Sequence, residues 1–294
     1  MQVMVTISWC RRIRLQSGSS AEMVSMTKGR IMNDAALMPR GPRYQVVFFD
    51  LYGTLIDIRT DERSETAWQA LYEKLRGFGV EYESVEALRG RFAQLEAGEM
   101  LRQANRSTVR DDWREFDILP VYRSLLIDQA DEVERILPLP QAAAQAAWAF
   151  RQGSTGMIRL YQGALDMIGR LREAGVGVVL LSNAQSCYTR PELEMTGLAD
   201  VLDDVIISSE EGMRKPARDL YMSALDRELV TAERSLMVGN DETNDIIGAA
   251  AAGIDGAYFR TEISPTHDPV VSRHAVCSFT GADYDGLLDY VLNT

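Results

Sequence analysis

Cysteine, histidine and lysine are scarce in this 294-residue chain, and each shortage removes a class of function. The three cysteines, Cys10, Cys187 and Cys277, lie far apart and form no CxxC pair. That spacing predicts free thiols in a reducing compartment rather than a zinc ribbon or a disulfide framework. The two histidines, His267 and His274, have Pro269 between them, which excludes a shared helical face. No histidine-rich metal site is expected. Long apolar runs are missing too: none approaches the roughly 18 residues that cross a bilayer, so no transmembrane helix is predicted. Positive charge is in deficit, with 31 lysines and arginines against 43 acids and a net charge of −12. Neither nucleic acid nor an anionic membrane is an expected partner of so acidic a chain.

What remains is the composition of an ordinary globular protein of one to two domains, 46% apolar and 25% charged. Its charge is uneven. Residues 1–42 hold six basic residues, two acids and six of the thirteen methionines, a net +4 against −16 for the other 252. They carry no helical or strand period and read as a disordered N-terminal extension, upstream of a true start at Met23, Met26, Met32 or Met38. A transit peptide is the alternative, since this stretch contains arginine and serine with few acids. A secretory signal is not expected, because its apolar Val3–Trp9 precedes Arg11, Arg12 and Arg14. The expected location is cytoplasmic.

Regular structure is predicted to begin at Gln45. Val46-Val47-Phe48-Phe49 is the pattern of a strand buried on both faces, and Gly53 permits a sharp turn after it. Residues 60–155 then read as helical throughout. Trp68, Leu71, Leu75 and Phe78 recur at helical spacing up to Gly77 and Gly79, and the periodicity continues over 84–104 and 113–152, broken at Pro120, Pro138 and Pro140. From Tyr161 helices and strands alternate. Strands are expected at Val176–Leu181, Val205–Ile207, Leu236–Val238 and Gly256–Phe259, with helices at Gly163–Ala174, Pro216–Leu225 and Ile246–Ala252. This alternation implies a doubly wound parallel α/β sheet that the first strand joins. Ligands bind such sheets beyond the carboxyl ends of the strands.

Polar residues gather at those ends. The first strand runs into Asp50, the second into Ser182-Asn183, and the fourth into Gly239-Asn240-Asp241 with Asp245 beyond, while Lys215-Pro216 opens a helix. A carboxylate beside a cation can serve as a nucleophile. A hydroxyl, backbone N–H groups and a lysine can hold a phosphoryl or carboxylate group. Clustered carboxylates with few histidines suit Mg²⁺. Lys215 stands out because the chain has only three lysines, Lys28, Lys74 and Lys215, beside 28 arginines. Alone, Asp50 would read as a turn cap, Ser182 and Asn183 as turn residues, and Asp241, Glu242 and Asp245 as acids favoured at a helix start.

Asp50-Leu-Tyr-Gly-Thr-Leu, Leu181-Ser182-Asn183, Lys215-Pro216 and Val238-Gly239-Asn240-Asp241 through Asp245, in that order and each at a strand end, resemble the haloacid dehalogenase superfamily of hydrolases over about residues 45–280. The resemblance implies a Rossmann-like core at 43–58 and 158–294 with an all-helical cap inserted at 59–157. It makes Asp50 the nucleophile, assisted by Lys215, with Ser182, Asn183, Lys215 and Tyr52 about the substrate. Mg²⁺ would be held by Asp50, the Tyr52 backbone carbonyl, Asp241 and Asp245, with Thr54 and Asn244 as lesser candidates.

Two departures divide the reading. Phosphatases of this superfamily usually carry a second aspartate two residues after the nucleophile, where this chain has Tyr52, as the 2-haloacid dehalogenases do. The last motif points the other way, offering Asp241 and Asp245 and lacking the dehalogenase Ser-Asn-x-x-Asp. Asn240 stands where many phosphatases have an aspartate. The halide-binding arginine expected near position 81 is replaced by Glu81 and Glu83, and Arg89 and Arg91 fit poorly. The leading expectation is a Mg²⁺-dependent phosphatase acting on a small phosphorylated metabolite through an aspartyl-phosphate. The alternatives are a metal-independent 2-haloacid dehalogenase and a catalytically weak phospho-ligand-binding protein. Trp68, Tyr72, Trp113, Phe116, Tyr122 and Trp148 are expected in the cap core, and Arg102, Arg106 and Arg110 on one solvated helical stripe.

Overall fold

The computed structural model describes residues 42–127 and 133–293. Cys10, the four candidate start sites and all but the last residue of the expected extension lie outside them. The strands are β1 (Val46–Phe49), β2 (Ile56–Thr60), β3 (Thr155–Leu160), β4 (Gly177–Ser182), β5 (Asp204–Ile207), β6 (Ser235–Gly239), β7 (Asp255–Arg260) and β8 (Cys277–Thr280). The helices in chain order are α1 (Glu65–Gly77), α2 (Val85–Ala104), α3 (Leu119–Ile127), α4 (Leu139–Ser154), α5 (Ala164–Glu173), α6 (Ser186–Thr196), α7 (Ser208–Glu211), α8 (Arg218–Glu228), α9 (Gly248–Ala251) and α10 (Tyr284–Asn293).

Six of the strands form a sheet in the order β5-β4-β1-β6-β7-β8, with every pairing parallel. β1 is central and buried along its length, Phe49 lying opposite Leu180 of β4 and Val238 of β6. Its side chains alternate between two apolar layers. Val47 and Phe49 pack with Ile168 of α5 and Leu287 of α10, while Val46 and Phe48 pack with Leu220 and Tyr221 of α8. A strand that must fill both layers needs the continuous β-branched and aromatic run found here. From β1 the chain builds outward through β4 and β5, then returns to β6 and builds the other way. The carboxyl end of β1 is therefore the point where strand order reverses, the usual place for a ligand crevice.

The segment from α1 to α4 has a core of its own. Leu71, Leu75, Leu88, Tyr122, Leu126, Ala146 and Phe150 are buried in it, and Trp68 packs edge-on against Phe92 and Phe150. Ser64 and Ser84 cap α1 and α2 by accepting from the Ala67 and Ala87 amides, which satisfies otherwise orphaned N–H groups. Pro120 and Pro140 fall in the first turns of α3 and α4, where no intrahelical N–H is required. They start helices that the sequence reading had them interrupt.

Four further readings need correction. Residues 56–60 and 155–160 form an antiparallel ribbon, β2 with β3, that carries the chain out to the helices and back; Ile56-Asp57-Ile58-Arg59 does alternate with a strand period, but over only four residues at the edge of a helical stretch. β8 and α6 were also not anticipated, the latter because Pro191 lies inside it. Trp113 packs against the sheet layer of Phe48, outside the helical core. Helix α2 ends at Ala104, before Arg106 and Arg110, so the three arginines share no stripe. Cys187 and Cys277 are free thiols, as expected. Among the described residues no helix is long and apolar enough to cross a membrane.

Candidate active site

Asp50 leaves the carboxyl end of β1, and its amide still donates to the Val238 carbonyl of β6 at 2.9 Å. The following turn is tight: Leu55 and Ile56 both return amide bonds to the Leu51 carbonyl, at 2.8 and 2.9 Å. Gly53 has φ of +86°, and a Cβ there would meet the Asn240 amide at 2.1 Å. Only glycine fits this turn against that neighbour.

Lys215 is the centre of the site. Its ammonium, 2% exposed, donates to Asp50 Oδ1 at 2.7 Å and to Asp245 Oδ1 at 2.6 Å. Ser182, the last residue of β4, donates to the same Asp50 oxygen at 3.3 Å. The backbone of Lys215 is pinned from both sides by Asn183, whose Oδ1 accepts from the Lys215 amide at 2.8 Å and whose Nδ2 donates to its carbonyl at 3.0 Å. Asn183 thus positions the lysine as well as lining the crevice.

Asp245 is delivered by a single π-helical turn, Glu242–Ile247, a local form that favours functional sites. Its Oδ2 accepts from the Asp241 amide at 3.0 Å, and the Tyr221 hydroxyl donates to the backbone carbonyls of Asn244 and Asp245. Burial pushes the Asp245 carboxyl up to about 7, against the pull of Lys215 and reinforced by Asp50. Burial opposes the charge on Lys215, but the two carboxylates outweigh it and raise its pKa, so it stays an ammonium.

Asp50, Tyr52, Asn183, Lys215, Asn240, Asp241, Asn244 and Asp245 line one cavity of about 190 Å³. The expected site residues are thereby brought together, with Ser182 buried just beneath. Asp241 has both carboxylate oxygens engaged by Asn244, at 2.8 Å from its amide and 2.7 Å from its side chain. Thr54 is buried, its hydroxyl 3.5 Å from Asn240 Oδ1. The potential ligands in this cavity are oxygens, with no thiolate or imidazole, a donor set that suits a hard cation. Its charge is modest: among the described residues no three histidine, cysteine or acidic side chains are grouped to hold a metal.

A model of the haloacid dehalogenase-like hydrolases matches residues 44–253, from the strand before Asp50 to the glycine after α9. The chain belongs to this hydrolase family. Ribulose-1,5-bisphosphate 5-phosphatase of Halopiger xanaduensis is 31% identical over 137 residues, 47% of this chain and 57% of its own length. Glyceraldehyde 3-phosphate phosphatase of Pyrococcus abyssi is 26% identical over 219 residues, 74% of this chain and 81% of its own. The chain thus spans little more than half of the first of these relatives. A crystal structure of 2-haloacid dehalogenase from Pseudomonas syringae pv. tomato superposes with a TM-score of 0.53 at 18% identity, covering 84% of this chain and 99% of that one. At that identity the likeness concerns the fold.

Tyr52, two residues after Asp50, commits its hydroxyl to neighbours other than Lys215. It donates to Glu192 Oε2 at 2.5 Å and lies 3.0 Å from the Thr189 hydroxyl. Glu192 in turn accepts from Arg151 Nε at 2.6 Å, and the Arg151 guanidinium sits 5.7 Å from the Tyr52 ring. Burial and the Glu192 charge raise the Tyr52 hydroxyl well above the ordinary phenol range. None of Arg151, Thr189 or Glu192 carried a motif; they meet only through the packing of α4 on α6. Arg89 is likewise far from Asp50 in role: it pairs with Glu65 and lies over Trp68 inside the helical block.

Proposed function

We propose that this hydrolase is a Mg²⁺-dependent phosphatase that acts on a small phosphorylated metabolite through an aspartyl-phosphate on Asp50. The observation that carries the reading is the buried Lys215 ammonium held between Asp50 and Asp245 at 2.7 and 2.6 Å. Asp50 attacks phosphorus, its new O–P bond replacing the bond to the leaving alkoxide, which takes a proton from solvent water. Water then attacks phosphorus of the acyl phosphate, breaking the bond to Asp50 and giving up a proton to solvent, so that Asp50 and inorganic phosphate are freed. Lys215 and the Ser182 hydroxyl hold phosphoryl oxygens and offset the charge that accumulates on them. Asp50, Asp245, the Asn240 amide oxygen and the Tyr52 backbone carbonyl would hold Mg²⁺, which supplies further charge neutralisation when bound. Asp241 would support this set through its amide bond to Asp245. The phosphatase names of the curated relatives support phosphate over halide.

The helical block would act as the cap. Next to the 190 Å³ crevice, and sharing Tyr52 and Asn183 with it, lies a second cavity of about 490 Å³. Phe116, Ile118 and Arg151 of the block and Gln185 of the core line it, which gives the remainder of a metabolite a place and the block a part in choosing it.

One observation favours the second reading, a metal-independent 2-haloacid dehalogenase. The Tyr52 hydroxyl is committed to Glu192 and supplies no proton to a leaving alcohol, and departing halide needs none. The test is hydrolysis of p-nitrophenyl phosphate and acetyl phosphate with Mg²⁺ or with EDTA, beside halide release from 2-haloacids. Turnover should require Mg²⁺ and fall on the order of 10⁴-fold in Asp50→Asn. Equal phosphatase rates in EDTA, or halide release without metal, would overturn the phosphatase reading.

A further inference from the structure

Tyr52, Glu192 and Arg151 form a second buried ionic chain that the proposed chemistry does not use. Glu192 is 1% exposed and Arg151 7%. A carboxylate and a guanidinium are costly to desolvate, and a pair this deep is retained only where both groups are fully bonded. Here they are: Glu192 takes the Tyr52 hydroxyl on one oxygen and Arg151 Nε on the other. Arg151 also reaches Glu62 at 3.4 Å and lies 5.3 Å from the Tyr188 ring.

The three residues come from three places. Tyr52 is in the turn after the nucleophile, Glu192 is on α6 of the sheet layer, and Arg151 is on α4 of the helical block. That turn has few degrees of freedom. Its backbone is closed by the Leu51 carbonyl bonds, and the Gly53 carbonyl is held by the Thr261 hydroxyl at 2.8 Å. The Tyr52 side chain is the handle by which a more distant element can set its orientation. Arg151 is near the end of α4, which runs directly into β3 and, through its pairing with β2, back to the same turn. The block therefore touches the nucleophile's turn by two routes, one covalent and one ionic.

We infer that Glu192 and Arg151 are positioning residues: through the Tyr52 hydroxyl they fix the turn that carries Asp50, so that nucleophile geometry depends on the docked helical block. This rests on the assignment of Asp50 as nucleophile and deepens it. Neither residue touches the reacting atoms. Removal of the Glu192 carboxylate or the Tyr52 hydroxyl should act on the rate of the chemical step and leave substrate affinity nearly unchanged.

The test compares Tyr52→Phe, Glu192→Gln and the double variant, each first shown by thermal unfolding to be folded at the assay temperature. Turnover of p-nitrophenyl phosphate is expected to fall about tenfold in kcat in each single variant, with KM within about twofold, as small misplacements of a reacting group do. The double variant should be no slower than Glu192→Gln, because both changes cut one chain. Amide exchange across residues 50–56, read by mass spectrometry without substrate, should accelerate at least about tenfold while residues 255–260 stay unchanged. Losses that multiply in the double variant, a change confined to KM, or unaltered exchange across 50–56 would each overturn the inference. If the wild-type enzyme turned over no phosphoester, the phosphatase reading would fall, and the exchange measurement would still decide this one.

Discussion

Two buried cations organise this protein, and they do opposite things with the carboxylates around them. Lys215 is shared between Asp50 and Asp245, and Asp50 remains 12% exposed at its side chain, open to the crevice. Arg151 is held chiefly by Glu192 at 2.6 Å, with Glu62 at 3.4 Å, and the Glu192 side chain is 1% exposed with its other oxygen closed off by Tyr52. A compact ammonium with three donors can face two carboxylates and an incoming anion, while a planar guanidinium suits a fixed, sealed contact. The difference separates a site poised to exchange partners from a joint that holds elements together. A third pair stands between these two: Arg159, 68% exposed, reaches Asp57, only 5% exposed, at 2.8 Å across the β2–β3 ribbon.

The largest effect is expected at Lys215. Lys215→Met keeps the volume of the stem but leaves Asp50 and Asp245 facing each other without a cation. Removing one member of a buried ionic set costs about 3–5 kcal/mol, so the midpoint of urea unfolding should drop sharply with an unchanged slope. The loss has a pH signature. Asp245 already has a raised pKa from burial, and without Lys215 it rises further. Both proteins lose stability above the unfolded carboxyl pKa, so their difference opens only where the wild-type carboxyl ionises and that of the variant does not: the deficit should grow above about pH 7. A deficit independent of pH between about 7 and 9 would show that the carboxylates find another partner.

Why the first network was legible in the sequence and the second was not follows from where their residues sit. Asp50, Ser182 and the Asn240–Asp245 segment each follow a strand that a run of apolar residues announces, and parallel topology delivers such ends to one edge of the sheet. Lys215 was found by its rarity and by the proline after it. Even here the roles were only partly readable. Asn183 looked like a substrate contact, yet it also clamps the lysine backbone, and Asp241 looked like a free acid, yet Asn244 occupies both its oxygens. Nothing similar marks Arg151, Thr189 and Glu192. They lie on two helices, one hidden by Pro191, and their meeting depends on how α4 packs against α6. The central strands are legible because β1, β4 and β6 are apolar runs buried on both faces, whereas β8 at the sheet edge and the β2–β3 ribbon are partly exposed and carry no such run.

A smaller perturbation can weaken the lysine site without deleting any charge. Gly239 ends β6, and a Cβ added there would lie 2.2 Å from Asp245 Cγ. Gly239→Ala must therefore push Asp245 from its place beside Lys215. Overpacking of this kind costs about 1–3 kcal/mol, less than loss of the cation. Phosphoester turnover should fall in this variant while amide exchange across 50–56 is preserved, whereas Tyr52→Phe should lower turnover and accelerate that exchange. If exchange across 50–56 also accelerated in Gly239→Ala, the two networks would be one, and the contrast between site and joint would not hold.

The smallest effect belongs to the ribbon. Arg159 stands directly opposite Asp57 in the β2–β3 register, and its two bonds to Asp57 Oδ2, at 3.0 and 2.8 Å, come from a guanidinium mostly in water. Exposed cross-strand ion pairs contribute about 0.2–1 kcal/mol, and with Asp57 only 5% exposed this one should lie at the top of that range. Arg159→Ala should lower the unfolding free energy by about that much, and less in 1 M salt than at low ionic strength, because the Debye length shrinks to about 3 Å. Arg151→Met, with its partner sealed from solvent, should lose several times more and be nearly indifferent to salt. Equal losses with equal salt dependence would mean that water reaches Glu192, and an ion pair open to water could not hold the Tyr52 turn.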